Sequence, residues 1–191
     1  MKYYAVIDTN VLVSSLLTKN DNSPVVKIIH AIRNSTIIPM FNADILAEYV
    51  EVLSRDRLGL NQDVVSETLA MIKSRGIDSE RKPVSENIPD PDDVVFYEIA
   101  MSREDSYLVT GNLKHFPRNG KVVSPSEMLM IMEFGQLSTG LLNHVEPPLY
   151  MPMSLDEIND LIKEVRRQVR LQRDNYINRY YALTVRPVWE E

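Results

Sequence analysis

Acidic and amide side chains lie in or beside apolar segments at four places along the chain. These positions are Asp8, Glu48, Asp93 and Asn112, with Asp90 and Asp92 close to the third. Their hard oxygen atoms, without cysteine or a histidine at ligand spacing, suit Mg²⁺ or Mn²⁺. Such ions commonly act on phosphate substrates, where they neutralise charge and activate a water for in-line attack. The residue types therefore predict metal-dependent hydrolysis of a phosphodiester.

The segment that positions Asp8 is residues 3–7, a short run that is apolar on both faces. Such a run is typical of a strand buried in the middle of a parallel sheet. Asp8 follows this strand, and ligands of open α/β sheets bind outside the carboxyl ends of the strands. Asn10 is placed to cap a helix over residues 11–17. The alternative is that Asp8-Thr9-Asn10 is only a strand-to-helix turn.

Glu48 falls in a predicted helix over residues 43–54, which Asn42 can cap. An apolar stripe at helical spacing runs along this helix and comprises Ile45, Leu46, Tyr49, Val50 and Leu53. Glu48 lies on the border of the stripe, whereas Glu51 points away from it and is expected to be a solvated charge. Glu48 can therefore face the same edge of the core as Asp8. The alternative is an ordinary surface glutamate.

Asp93 is expected at the start of a helix and Asn112 at the end of a strand. Asp93 shares a helix face with Tyr97 and Ala100, so its side chain is expected to point inward. Asp90, Asp92 and Asp93 crowd the start of that helix, and capping needs only one of them. Binding of a metal ion would explain why the other two carboxylates are there. The strand covers residues 106–110, and Gly111-Asn112 forms the turn at its carboxyl end. These strand and helix ends are predicted to meet at one rim.

The remaining segments alternate between helix and strand, which predicts an α/β fold. Helices are expected over residues 25–34 and 61–74, and short strands over 36–40 and 122–123. Gly76 closes the second helix, and residues 78–92 are expected to be a loop. Ser124 and Glu127 form a capping box for a further helix, after which the core ends near Gly140. Strands that alternate with helices form a parallel sheet with helices on both faces.

The composition is that of a globular protein without cysteine. The 191 residues are 44% hydrophobic and 25% charged, with a formal net charge of −6. The lack of cysteine excludes disulfides and thiolate metal sites, and there is no apolar run of about 18 residues. No secretory signal precedes Asp8, so we expect a cytoplasmic location. A polyanion must approach such an acidic protein through the metal or through local basic patches. The basic residues nearest in sequence to the proposed site are Lys114 and Arg118.

The C-terminal part is set apart by Pro147, Pro148 and Pro152 and is predicted to form a long helix. Ser154 and Glu157 form a capping box for this helix, which is expected to reach about residue 178. Its apolar seam comprises Leu155, Ile158, Ile162, Val165, Val169 and Tyr176. Its basic arc comprises Lys163, Arg166, Arg167 and Arg170. One alternative is that the helix covers its own domain. The other is that it packs against another copy or a partner, which leaves the basic arc free to bind phosphates or an acidic surface. The proline-rich connection favours the second alternative, because it allows the helix to leave its own domain.

Four motifs together resemble the PIN-domain nucleases over about residues 1–135, and look most like the toxins of bacterial toxin–antitoxin pairs. The motifs are Val6-Ile7-Asp8-Thr9-Asn10-Val11-Leu12, Leu46-Ala47-Glu48-Tyr49-Val50-Glu51-Val52-Leu53, Asp90-Pro91-Asp92-Asp93 and Val109-Thr110-Gly111-Asn112. The resemblance implies a three-layer α/β/α fold with a central, roughly five-stranded parallel sheet. It also implies cleavage of single-stranded RNA that depends on Mg²⁺ or Mn²⁺.

The resemblance further implies roles and boundaries. The acidic ligands of the family map onto Asp8, Glu48 and Asp93, and its supporting polar positions map onto Thr9, Asn10 and Thr110. The chain would comprise a PIN-like nuclease domain over 1–140, a proline-rich linker over 141–153, and a C-terminal helix and tail over 154–191. The implied partners are RNA, a small antitoxin protein and further copies of the chain.

Asn112 departs from the family, whose members usually have an acid after Thr-Gly. An amide can still coordinate a hard cation, but it brings no charge, so Asp90 or Asp92 would have to supply it. This departure supports an alternative, a catalytically impaired RNA-binding or assembly module. A third interpretation is an aspartyl phosphotransferase with Asp8 as nucleophile. It is less favoured, because such an enzyme needs an acid at the position that Asn10 occupies. His115 is expected to be a surface histidine.

Overall fold

The computed structural model describes residues 1–117 and 119–137, and beyond them residues 154, 156–160, 162–164 and 167. Five parallel strands form one sheet: β1 (Tyr3–Ile7), β2 (Ile37–Phe41), β3 (Ile77–Asp78), β4 (Ser106–Val109) and β5 (Val122–Val123). Their order across the sheet is β3-β2-β1-β4-β5. The strand predicted to be buried on both faces, β1, is therefore the central one.

Within the described part of residues 1–137 six α-helices flank the sheet, and residues 156–160 and 162–164 are also helical. The six are α1 (Thr9–Leu17), α2 (Pro24–Arg33), α3 (Ala43–Leu53), α4 (Gln62–Arg75), α5 (Val94–Ala100) and α6 (Pro125–Leu137). Two short 3-10 turns cover Asp56–Leu58 and Leu113–His115. Helix α2 packs on α1, α4 and α6, whereas α5 packs on β1, β4 and α3. The predicted three-layer α/β/α fold with a five-stranded parallel sheet is confirmed.

The register of the central strands brings their carboxyl ends to one edge. Ile7, the last residue of β1, lies opposite Val109, the last residue of β4. The backbone N–H of Asp8 donates to the Val109 carbonyl over 2.9 Å, so the ladder extends one residue past β1. Polar groups that follow these two strands must therefore be neighbours. In the same region, the buried Tyr49 hydroxyl of α3 donates to the carbonyl of Ile7 and fixes α3 to the end of β1.

Strand β3 was not predicted from the sequence, and it lies in part within the predicted loop 78–92. The strand has only two residues, of which Ile77 is half-buried and Asp78 exposed, so no alternating pattern exists to reveal it. Gly76 ends α4 immediately before β3 with a φ of −94°, an ordinary value for any residue. Its lack of a side chain matters for another reason: a Cβ there would lie 2.6 Å from the Pro39 carbonyl oxygen of β2.

The start of α1 differs from the prediction by two residues. Asp8, not Asn10, is the N-cap, and its carboxylate accepts the backbone N–H of Asn10. Asn10 lies within the first turn, and its side chain is used elsewhere. The other predicted caps are present: Asn42 accepts the N–H of Ile45, and the Ser124–Glu127 capping box opens α6. The Asp8 carboxylate thus serves both the helix start and the edge of the sheet.

The described part of the C-terminal helix packs on the same chain. Ser154 and Glu157 form the predicted capping box, with the Ser154 N–H 2.7 Å from the Glu157 carboxylate. Ile158 and Ile162 are buried in the same hydrophobic core as β1. The interpretation that this helix covers its own domain therefore holds for residues 156–160 and 162–164. The predicted linker 141–153, most of the seam and the tail lie outside the described residues. Where the chain is described, no helix is both long and apolar enough to cross a membrane.

Candidate active site

A cleft at the carboxyl edge of the sheet collects several of the predicted site residues. The residues that line it are Asp8, Asn10, Asp90, Asp93, Asn112, His115, Asn159, Ile162 and Lys163. The space between its walls is about 240 Å³, including the part open to solvent. Three chain segments meet here because β1 and β4 end at this edge and α5 begins beside it. The cleft lies where ligands bind in open parallel sheets.

Asp8 is held in one orientation by polar neighbours. The residue is only 4% exposed, and its carboxylate accepts hydrogen bonds from the Thr110 hydroxyl over 2.6 Å and from the Asn10 side-chain amide over 2.8 Å. Thr110 also accepts the backbone N–H of Asn112 over 2.9 Å, and Asn10 accepts that of Gly111 over 2.9 Å. The turn after β4 and the turn after β1 are thus connected through two side chains. Such contacts fix the direction in which Asp8 presents its oxygens.

Glu48 lies beside this cleft rather than among its lining residues. Its carboxylate is half-buried and accepts the hydroxyl of the fully buried Thr9. The next residue, Tyr49, is buried, and burial raises the pKa of its hydroxyl well above the ordinary value. The nearby charges of Glu48 and Asp8 raise that pKa further. The carboxylates of Glu48 and Asp8 are therefore close enough to act on the same buried phenol.

Asp93 points inward, as its place on the helix predicted. Its side chain is 4% exposed, and its Oδ2 lies 3.0 Å from Nδ1 of His115. Asp90 is half-buried, lines the cleft and accepts the backbone N–H of Asp92 over 3.0 Å. Asp92 is half-buried and does not line the cleft. Of the three carboxylates before α5, two therefore face the space that Asp8 faces.

His115 corrects the expectation of a surface histidine. Its side chain is half-buried and lines the cleft because the 3-10 turn after Asn112 brings it back towards the sheet. The backbone N–H of His115 donates to the Asn112 carbonyl over 3.1 Å, which closes this turn. The sequence signal that could have indicated His115 as a site residue is its position three residues after Asn112. Lys114 is exposed and does not line the cleft, and Arg118 lies outside the described residues.

Three lining residues, Asn159, Ile162 and Lys163, come from the C-terminal helix. Sequence reasoning placed Lys163 in a basic arc and Ile162 in an apolar seam, but neither at the cleft. Nothing in the spacing of residues 154–167 indicates which surface the helix meets. The packing of Ile158 and Ile162 on the core decides it.

The side chains of this edge suit a hard divalent cation by their chemistry. Asp8 and Asp93 offer buried carboxylates, Asp90 a half-buried one and Asn112 an amide oxygen, with no softer ligand than His115. Among the described residues, however, no three or more His, Cys, Asp or Glu side chains are gathered closely enough to hold a metal ion. The donors required for a cation are therefore present around the cleft but are not drawn into one coordination shell.

The chain is similar to a known family of domains. A model of the PIN domain matches residues 4–114, which include Asp8, Glu48, Asp93 and Asn112. His115 and the C-terminal helix lie beyond the matched segment. Neither a curated protein nor a solved structure matches the chain significantly.

Proposed function

Because the chain belongs to the PIN-domain family, a family of nuclease domains, we propose that it is an endoribonuclease dependent on Mg²⁺ or Mn²⁺. Its reaction would be hydrolysis of phosphodiester bonds in single-stranded RNA. The observation that carries this proposal is the pair of buried carboxylates, Asp8 and Asp93, which reach one cleft from two separate elements. Buried carboxylates repel each other, and a bound cation removes that cost.

Asp8, Glu48 and Asp93 are the proposed acidic residues of the reaction, with Asn112 as a neutral fourth donor. A divalent cation, when bound, supplies positive charge beside the phosphate and activates a water. Asp8 accepts hydrogen bonds from Thr110 and Asn10, so its oxygens stay directed into the cleft. Nδ1 of His115 faces the Asp93 carboxylate, and a neutral imidazole that donates from Nδ1 keeps Nε2 as an acceptor for a hydrogen bond from a water or a substrate hydroxyl.

The direct test is cleavage of an unstructured, end-labelled RNA by the purified full-length chain. We expect cleavage with Mg²⁺ or Mn²⁺ and none with a chelator. Asp8→Asn and Asp93→Asn should each lower the rate by more than about 100-fold, the upper end of what supporting residues of metal sites cost. Both variants should keep the fold, because an amide occupies the same volume as a carboxylate. Wild-type rates in either variant would refute this assignment.

The biological setting is proposed more narrowly from the motifs. Their resemblance to the toxins of toxin–antitoxin pairs supports a cytoplasmic toxin that a small antitoxin protein neutralises, and that forms oligomers with itself. Expression of the wild-type chain should then arrest growth, whereas the Asp8→Asn chain should not. Co-expression of a small protein encoded next to it should relieve the arrest.

A second candidate function is a catalytically impaired RNA-binding or assembly module. Two observations favour it: Asn112 brings no charge to the cleft, and the described residues contain no ready group of three ligands. Such a module would bind RNA without cutting it, and its affinity would not depend on Mn²⁺. The cleavage assay separates the two functions, because a module gives a stable complex with intact RNA.

A further inference from the structure

We propose that residues 156–160 and 162–164 form an autoinhibitory strap, which covers the cleft and brings Lys163, one of the residues that line it, to the place where a cation and the substrate phosphate must bind. The proposal rests on the proposed function, since it describes regulation of the same site. It concerns a part of the chain that lies outside the segment matching the PIN domain.

The strap is attached to the domain at two points. Ile158 is fully buried, and Ile162 is 4% exposed, both within the core that contains β1. Near the start of the strap, Glu157 feels the positive charge of Arg57, which contributes to the lowering of its pKa after the hydrogen bonds from Ser154. This attachment brings the next turn of the helix, with Asn159, Ile162 and Lys163, to the edge of the sheet.

The strap narrows the cleft. With the strap in place, the space between the walls of the cleft is about 240 Å³, including the part open to solvent. Pockets that bury a small ligand enclose about 300–1,000 Å³, so a phosphodiester with its nucleosides does not fit beneath the strap. Because Asn159, Ile162 and Lys163 form one side of the cleft, moving the strap is the direct way to enlarge it.

Charge gives the strap its specificity for this edge. Asp8, Asp90 and Asp93 line the cleft, and Lys163 carries the only permanent positive charge among the described lining residues. A lysine at carboxylates offers the same attraction as a divalent cation, although with half the charge. The strapped state and the metal- and RNA-bound state therefore exclude each other. By linkage, whatever weakens the strap must strengthen binding of the cation.

The attachment is small enough to be reversible. Within the described residues, only two apolar side chains of the strap, Ile158 and Ile162, are buried, whereas every strand and all helices α1–α6 belong to the remainder of the domain. Opening therefore exposes two isoleucines and leaves the sheet intact. A segment with few buried contacts is the part of a structure that opens most readily.

Two variants of the full-length chain test the strap. Lys163→Ala removes the charge at the cleft, and Ile158→Asn weakens the attachment at a residue that does not line the cleft. Each should bind Mn²⁺ roughly tenfold more tightly in calorimetry and cleave RNA correspondingly faster, a typical strength for coupled sites. Lys73→Ala is the matched control, because it removes a lysine charge from the exposed end of α4.

The outcomes are separable. Unchanged Mn²⁺ affinity in Lys163→Ala overturns the strap, and slower cleavage with weaker RNA binding overturns it in favour of a substrate-binding lysine. If no protein cleaves RNA, the proposed function fails, but tighter Mn²⁺ binding in the variants still supports the strap. If no protein binds Mn²⁺ either, carbodiimide labelling of Asp90 and Asp93 decides: faster labelling in Lys163→Ala supports the strap, and an equal rate overturns it. If Ile158→Asn fails to fold, the comparison of Lys163→Ala with the wild type decides alone.

Discussion

At the scale of single residues, the candidate site depends on side chains that direct one carboxylate. Asp8 receives two side-chain hydrogen bonds, from Thr110 and Asn10, and each donor is itself tied to the backbone of the turn after β4. The polar residues in the two turns therefore orient the Asp8 carboxylate besides ending the strands. Their role can be separated from general stability by replacing one donor at a time.

Thr110→Val should lower cleavage by about 10-fold to 100-fold, because Asp8 loses the hydroxyl that directs it. It should also lower the free energy of unfolding by about 1–3 kcal/mol, since the N–H of Asn112 loses its acceptor. The matched control is Thr68→Val in α4, whose buried hydroxyl donates to the Val64 carbonyl away from the cleft. A control that loses as much activity as Thr110→Val would show that the effect is one of stability.

Asn112→Asp should tighten Mn²⁺ binding by about tenfold, because it restores a negative charge beside Asp8 and Asp93. Titration calorimetry measures this directly, and cleavage should become faster in parallel. Asn61→Asp is the control, since it adds the same charge at the exposed N-cap of α4, where aspartate caps equally well. An affinity equal to that of the wild type would mean that Asn112 only shapes the turn.

At the scale of elements, α3 is positioned by a buried hydrogen bond to the central strand. The Tyr49 hydroxyl donates to the Ile7 carbonyl, one residue before Asp8, and Glu48 precedes Tyr49 in the chain. On the other side of the cleft, Tyr97 of α5 stacks on Phe116 with ring centroids 6.3 Å apart, which holds the turn carrying His115 against α5. Aromatic residues thus fix α3 and α5, two of the helices whose residues approach the cleft.

Tyr49→Phe should cost about 1 kcal/mol of stability, because the Ile7 carbonyl is left without its donor. It should also change the dependence of stability on pH. Burial raises the pKa of Tyr49 in the folded chain, so above the ordinary value of 10 the unfolded chain ionises first and stability falls. The loss is at most about 1.4 kcal/mol per pH unit for one proton.

Urea unfolding at pH 8 and pH 11 measures this effect. Tyr3 and Tyr97 also have raised pKa values, so the wild type should lose stability over this interval and Tyr49→Phe should lose less. Equal losses in the two proteins would mean that Tyr49 ionises as readily in the folded chain as in the unfolded one.

At the scale of the whole molecule, an acidic protein with a formal net charge of −6 must bind a polyanion locally. RNA binding by the Asp8→Asn chain should therefore depend weakly on salt, with a slope of log K against log salt of about −1.4 to −2.1, equivalent to two or three phosphate contacts. Lys114→Ala should reduce the slope by about 0.7 if its exposed side chain meets a phosphate. Lys73→Ala should leave the slope unchanged. A slope steeper than about −4 would indicate a basic surface beyond the cleft.

The sequence by itself determined the fold class, the central strand and the order of the acidic positions. These follow from local patterns, since a run apolar on both faces belongs in the middle of a parallel sheet. Helical spacing likewise turns Asp93 inward. Because parallel strands end at a common edge, the placement of Asp8 and Asn112 near each other was also predictable.

Only the tertiary structure decided which polar side chain meets which. Asn10, a predicted cap, instead bridges Asp8 and the turn at Gly111, because the neighbouring strand β4 supplies that turn. Two-residue β3 carries no pattern, and its place follows from the close approach of Gly76 to Pro39. Lys163 lies at the cleft because Ile158 and Ile162 pack on a core built from distant residues. Contacts between distant segments depend on the shape of both surfaces, and that shape exists only once the chain has folded.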